Sequence, residues 1–354
     1  MKKSIAIIGG GPGGLSAAIR GAKLGLKLDL YDKGKIGSGI RCAEGFIDTL
    51  GNQGKPEAGT LFKVEKVIFY AGREYHLHLN KEHGIWMIDR STWEKSLALK
   101  AKALGVSIKE EVPIDKEQLA DMQGRYRYII DASGAPSVTS RLYGFVPDYL
   151  KNATLLAQYN IEGDFGYLGD NTIKAGFERH YTGYFYIFPK GPHIANVGIG
   201  RFHGNQKGRT PHLKNELDRV LRKEGLDKFK IHKKISSFTP SSSVKKLLWE
   251  NIILIGDAAA LCSPLHGGGL DMACISGRIA AEHIASNTVS QYQRRLWDMV
   301  GKKLTMEMRV IKLWHFGGYS FVPFALRHPG ALKGIIFNKR PYPQILGCGG
   351  KKIF

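Results

Sequence analysis

The sequence predicts an α/β chain: a parallel βαβ domain, an antiparallel β-sheet domain inserted into it, and a helical C-terminal segment. Three observations predict it. The stretch SIAIIGGGPGGLSAA at 4–18 places a short β-branched run before a glycine cluster and a small-residue helix. Between 153 and 238 the pattern changes to alternating, strand-like runs. NIILIGDAA at 251–259 then brings back a buried type of strand ending in glycine, so the first domain resumes. The expected division is 1–150 with 251–290 for the βαβ domain, 151–250 for the sheet domain, and 291–354 for a basic, aromatic C-terminal segment.

Each element follows from a local signal. The helix that opens at Leu15 stops at Gly25, and a second strand covers 26–31. A Gly-rich crossing segment fills 34–60. Alternation at 62–70 and 74–79 predicts a small antiparallel ribbon, and 89–105 reads as a helix stopped by Gly105. Strands follow at 106–112 and 125–130. In the inserted domain, strands are expected at 154–161, 184–188 and 194–200, with one basic amphipathic helix near 211–223. A small-residue helix at 270–284 closes the pattern.

Composition bounds the function. With 354 residues, 43% hydrophobic and 10% aromatic, the chain has an ordinary globular core rather than disorder. No apolar run approaches the roughly 18 residues of a spanning helix, and the run at 5–8 is too short for a signal-peptide core, which predicts a cytoplasmic protein. Cys42, Cys262, Cys274 and Cys348 lack CxxC spacing, so neither a disulfide framework nor a metal site is expected. The formal charge of +21 points to an acidic partner. Basic residues are spread along the chain and no RNA or DNA module is visible, so nucleic acid is not expected.

The chemistry begins at the glycines. Gly9, Gly11 and Gly14 satisfy GxGxxG between a strand and a helix, the context in which a pyrophosphate meets a helix N-terminus. Asp32 lies 18 residues beyond Gly14, at a strand end, where a carboxylate accepts from both ribose hydroxyls and repels a 2′-phosphate. The dinucleotide is thus FAD or NAD. The later strand ends in Gly256 and Asp257, followed by PLHGGGLDMA at 264–273; such an Asp suits a ribityl hydroxyl, and the triple glycine suits a flavin carbonyl. FAD has that second half and NAD does not.

Taken with DRSTWEKSLALKA at 89–101, YIIDASGAPS at 128–137 and LIGDAAALCSPLHGGGLDMACISG at 254–277, these motifs resemble the flavoprotein group of aromatic hydroxylases, flavin halogenases and geranylgeranyl reductases. Within it, CAEG at 42–45 and YFYIFPK at 184–190 most resemble the geranylgeranyl reductase family, which saturates isoprenoid double bonds of lipids. The likeness covers about residues 1–290 and implies a Rossmann-like FAD-binding domain of the hydroxylase type. It places Gly9, Gly11, Pro12, Gly13, Gly14, Asp32 and Lys33 on the adenosine and pyrophosphate. Arg41, Cys42 and Gly45 would lie beside the isoalloxazine and Arg90 on the phosphate side. Asp257, Gly268, Gly269 and Leu270 would hold the ribityl chain and ring, with Val112, Ala132, Gly134, Gly256 and Pro264 completing the cofactor set. Two departures separate it from the hydroxylases. Ala260 replaces a histidine, and Asp131-Ala-Ser-Gly134 replaces an Asp-Gly that helps accept a pyridine nucleotide.

Saturating an unactivated double bond needs a dry channel and a proton source. Tyr184 and Tyr186 are expected on one strand face lining that channel, with Phe185 and Phe188 on the other, and Cys42 or a tyrosine hydroxyl as proton donor. The expected substrate is an isoprenoid or similar lipid; a hydroxylase-type monooxygenase and a non-catalytic electron-carrying flavoprotein are the alternatives. No second GxGxxG follows a strand, so an acidic ferredoxin or flavodoxin is the expected electron donor. Residues 301–354 hold ten Lys or Arg and one acid, Glu307, a net of +9. With Trp314, Phe316, Tyr319, Phe321, Phe324 and Phe337, this segment suits peripheral attachment to an anionic membrane.

Overall fold

A computed structural model describes residues 4–51, 53–80, 82–179, 182–202, 212–241 and 244–337. All four side chains of Ile5–Ile8 are buried, which suits the middle of a parallel sheet covered on both faces. On one side this strand pairs in parallel with Leu28–Tyr31, and that with Ser107–Lys109. On the other it pairs with Tyr128–Asp131, then Ile252–Leu254, with Leu248–Trp249 as an antiparallel edge. A strand from position 252 thus completes the sheet begun at position 5. The helix Pro12–Lys23 covers this sheet and packs against Leu270–Ala285. Glycine permits their approach: a Cβ on Gly277 would stand 2.3 Å from the Gly13 carbonyl oxygen.

The second sheet has seven strands, in the order Lys230–Thr239, Thr154–Glu162, Ile194–Phe202, Gly183–Pro189, Thr172–Gly176, Lys66–Tyr70 and Glu74–His78. The ribbon expected near 62–79 forms as Lys66–Tyr70 with Glu74–His78, but it does not stand alone. Lys66–Tyr70 pairs in parallel with Thr172–Gly176 and extends the large sheet. Residues just before it turn elsewhere: Thr60–Lys63 joins Ile85–Ile88 and Gly45–Ile47 in a three-stranded sheet. Alternation marks a strand without naming its neighbour, which is why the sequence reading missed this division.

The basic helix of the second domain runs Leu213–Lys223, while Gly204 and Pro211 lie outside the described residues. After Leu270–Ala285 the chain forms the helices Tyr292–Gly317, Phe321–Leu326 and Pro329–Phe337. Two aromatics assigned to a membrane surface belong instead to the interior. Trp314 and Phe337 are buried with Ile311, Val322 and Leu326 against the strand Lys66–Tyr70. Phe316 remains 93% exposed and Phe324 38%. Truncation before Leu313 would therefore remove core side chains and is no clean test of surface attachment. Cys348 and the basic residues Lys339, Arg340, Lys351 and Lys352 lie outside the described residues. No helix among the described residues is long and apolar enough to cross a membrane.

Candidate active site

The turn after Ile5–Ile8 is shaped by backbone that only glycine tolerates. Gly9 has φ of +105°, and a Cβ there would stand 2.3 Å from the Ala132 carbonyl oxygen. A Cβ on Gly14 would meet the Gly9 carbonyl oxygen at 2.0 Å. The helix beyond begins at Gly11 with no side-chain cap, so its first N–H groups remain available to a phosphate. Asp32 joins this turn to the one that follows Leu28–Tyr31: Oδ2 accepts from the Gly10 N–H at 2.6 Å and Oδ1 from the Gly34 N–H at 2.8 Å. Val112 supports the acid from behind, donating its N–H to the Asp32 carbonyl oxygen at 2.8 Å. Lys33 is exposed.

A cavity of about 380 Å³ runs from this turn across the junction of the two large sheets. Gly11, Pro12, Gly13, Arg90, Ala132 and Gly134 line its phosphate end. Arg41, Cys42, Gly45, Gly256, Asp257, Gly268, Gly269 and Leu270 line its middle, and Tyr184 and Tyr186 its far wall. Gly9, Gly14, Asp32, Lys33, Val112 and Pro264 are not on its surface. Gly9 and Gly14 set the turn, and Pro264 is buried behind the glycine-rich loop.

The far wall corrects one expectation. Phe188 shares a face with Tyr184 and Tyr186, and all three line the cavity, their rings 6.2 Å and 4.9 Å apart in succession. Phe185 and Ile187 point to the opposite side, as the two-residue strand period requires. The Tyr186 hydroxyl donates to Gln158 Oε1 at 2.7 Å and that of Tyr184 to the His266 carbonyl oxygen at 3.0 Å. Burial pushes both phenols up, so both stay protonated at neutral pH.

Opposite them, the loop at 42–45 is pinned by residues the sequence reading missed. Gln158 Nε2 donates to the Cys42 carbonyl oxygen at 3.2 Å, and Asn196 Nδ2 to the Ala43 carbonyl oxygen at 3.1 Å. Glu44 is buried with φ of +65°; its Oε2 lies 2.7 Å from Lys190 Nζ and 3.0 Å from Asn196 Nδ2. Its own N–H donates to Cys42 Sγ at 3.2 Å, and Arg90, whose Nε donates to Glu94 Oε1 at 2.6 Å, lines the same cavity as Cys42. The signal for Gln158 and Asn196 was present: each is a polar residue flanked by apolar ones, Ala157 and Tyr159 in the first case and Ala195 and Val197 in the second. His266 beside the glycines was also missed. Burial and then the Lys303 charge pull its pKa down to about 3, so its ring is neutral, with Nδ1 accepting from the Gly268 N–H at 3.2 Å.

These donors fit FAD. The phosphate end offers an uncapped helix N-terminus and Arg90, and the middle offers a second uncapped helix start at Gly269. The glycines there leave no room for side chains: a Cβ on Gly269 would stand 2.8 Å from Cys262 Sγ. Residues 4–84 match the family described as an FAD binding domain. A digeranylgeranylglycerophospholipid reductase of Thermoplasma volcanium is 30% identical over 344 residues, covering 84% of each chain. The chain belongs to the digeranylgeranylglycerophospholipid reductase family. The relative of the same name in Thermoplasma acidophilum is 29% identical over 352 residues, covering 88% of this chain and 85% of its own. A solved geranylgeranyl bacteriochlorophyll reductase-like protein from that organism shares the fold, with a TM-score of 0.78 at 23% identity over 97% of this chain and 94% of its own. The protein is an FAD-dependent oxidoreductase.

Asp32→Ala removes the carboxylate that joins the two turns and that the family resemblance assigns to the ribose. FAD affinity should fall by roughly 10- to 100-fold, the loss of a charge-assisted hydrogen bond of about 1.5–3 kcal/mol. Titration of apoprotein with FAD measures it; an unchanged Kd removes Asp32 from the cofactor site.

Proposed function

We propose that the protein saturates carbon–carbon double bonds in the isoprenoid chains of a lipid. Bound FAD, once reduced, supplies the hydride. The supporting observation is the continuity of one cavity from the phosphate turn to an apolar end walled by Val67, Phe69, Ile173, Trp314, Val322 and Leu326. A hydrocarbon chain entering it leaves water at a gain of about 25 cal/mol per Å². The relatives' printed names support a geranylgeranyl-bearing glycerophospholipid as the substrate.

The wall suits the charge that develops. Hydride addition leaves positive character on the other alkene carbon, and the negative ring faces of Tyr184, Tyr186 and Phe188 border that space. Both tyrosine hydroxyls already donate to fixed acceptors, which supports a wall role for them rather than a proton-donor role. Cys42 differs, because it lines the cavity and its sulfur accepts the Glu44 N–H at 3.2 Å rather than donating to a fixed acceptor. Cys42 is the proton donor in this reading.

The charge of +21 supports an acidic ferredoxin or flavodoxin as electron donor. Exposed Leu313, Phe316 and Phe324, interspersed with the exposed cations Arg309, Lys312 and Arg327, support docking on an anionic bilayer. Cosedimentation with anionic vesicles at low salt, lost at about 0.5 M salt, is the expected result. Binding to neutral vesicles alike, or to neither, removes that claim.

Anaerobic photoreduction tests the reaction. Mixing the reduced enzyme with digeranylgeranylglycerophospholipid should reoxidise the flavin and yield a lipid heavier by two hydrogens per bond. A hydroxylated lipid formed only with oxygen establishes the monooxygenase alternative. Oxidation by neither leaves the electron-carrier alternative.

A further inference from the structure

Cys42 lies between two cavities of opposite character. One is the apolar channel. The other, about 280 Å³, is lined by Glu44, Asp89, Asn160, Lys190, Asn196 and Lys233, and Cys42 itself belongs to its lining. Lys233 and Gly39, which also belong to that lining, are exposed, so this pocket reaches the protein surface. Most of its lining residues are polar, and it has room for several ordered waters.

We infer that this second pocket is a proton inlet that reloads the Cys42 thiol from solvent, an inference that rests on Cys42 as the proton donor. Each turnover breaks one π bond and forms two C–H bonds. One takes hydride, with both electrons, from reduced flavin, and the other takes the proton of the Cys42 S–H bond. The sulfur is left as thiolate and must recover one proton before the next double bond is reduced. The channel cannot deliver it while a hydrocarbon chain fills it. The tyrosine hydroxyls beside it donate to Gln158 and to the His266 carbonyl oxygen, so neither is turned toward the thiolate. The polar pocket meets Cys42 from the other side, and it carries a proton-bearing pair, Lys190 Nζ and Glu44 Oε2 at 2.7 Å.

The backbone at Glu44 supports the assignment. A non-glycine residue at φ of +65° costs on the order of 1–3 kcal/mol and persists only where its surroundings hold it. Here the surroundings are Asn196, Lys190 and the Arg90 N–H, which together fix both carboxylate oxygens. That conformation places the Glu44 N–H on the Cys42 sulfur while its side chain faces the inlet. One residue thus touches both the group to be protonated and the path by which protons arrive.

The test uses holoenzyme with dithionite as reductant and two variants that alter the pocket differently. Lys190→Met removes the ammonium, and Asn160→Leu fills the pocket with hydrocarbon. In Asn160→Leu, the first turnover of pre-reduced enzyme should keep the wild-type rate, because it draws on the thiol hydrogen and not on the inlet. Later turnovers of both variants should slow at least tenfold, with KM and FAD content unchanged, and added imidazole should restore the rate in Lys190→Met. A second readout needs no turnover: with saturated lipid filling the channel, iodoacetamide should still alkylate Cys42, and Asn160→Leu should slow that alkylation. Wild-type steady-state rates in both variants, or a first turnover of Asn160→Leu slowed as much as later ones, overturn the inlet. Full activity of Cys42→Ala instead overturns the donor assignment on which it rests, so the two failures are distinguishable.

Discussion

Cys42→Ala should keep its FAD and its fold yet lose lipid reduction by roughly 10²- to 10⁴-fold, the contribution of a positioned general acid. The residue is half-buried, and its loop is held from outside its own side chain, by Gln158 on its carbonyl oxygen and Asn196 on that of Ala43. Removing the sulfur therefore leaves the loop in place. Flavin absorbance measures cofactor content, and product mass after anaerobic mixing measures reduction. Cys348→Ala, whose site lies outside the described residues, should change neither. Activity of Cys42→Ala equal to that of the unmodified protein would reduce Cys42 to a packing residue.

Glu307→Ala should destabilise the fold by about 3–5 kcal/mol, because it breaks a buried ion pair by removing the carboxylate that faces the Lys303 ammonium. Both side chains are 1% exposed, one turn apart on Tyr292–Gly317, and form an ion pair. The pair also fastens the cavity walls together. Ser263 Oγ, on the glycine-rich loop, donates to Glu307 Oε2 at 2.7 Å, and Lys303 Nζ donates to the Ile336 carbonyl oxygen at 3.1 Å in Pro329–Phe337. Replacing both partners by apolar residues, Glu307→Leu with Lys303→Met, should recover most of the loss, since the desolvation cost goes with the charges. Denaturant melts of the single and double variants check this; a single-variant loss under about 1 kcal/mol would show that the pair is not a clamp.

Much of the glycine turn and of the elements around it was legible in the sequence. Gly9 and Gly14 were expected in a phosphate-binding turn between a strand and a helix; Gly9 lies in the turn between Ile5–Ile8 and Pro12–Lys23 and Gly14 in the first turn of that helix, and at both a Cβ would meet backbone. The helix expected at 270–284 forms as Leu270–Ala285 and brings Gly277 against Gly13. The substrate end was less legible. Tyr184 and Tyr186 share a face as expected, but Phe188 joined them, and Trp314 and Phe337 left the proposed surface for the interior. A helix with apolar residues on several sides does not announce which side meets the core.

By itself the sequence determined the dinucleotide half of this protein: a strand, a glycine turn, an uncapped helix start and an acid at the next strand end. Those features lie within about 30 residues and act through local sterics and backbone donors, so spacing alone carries them. Only the tertiary structure decided what surrounds Cys42. Gln158 comes from 116 residues away, and Asn196 reaches Ala43 across 153. Strand alternation reports that a face is buried but not which loop will lie against it, because that choice is made by sheet order and packing between domains. The same applies to the two cavities that meet at the Cys42 sulfur: each is a space between elements, and no single stretch of chain encodes it.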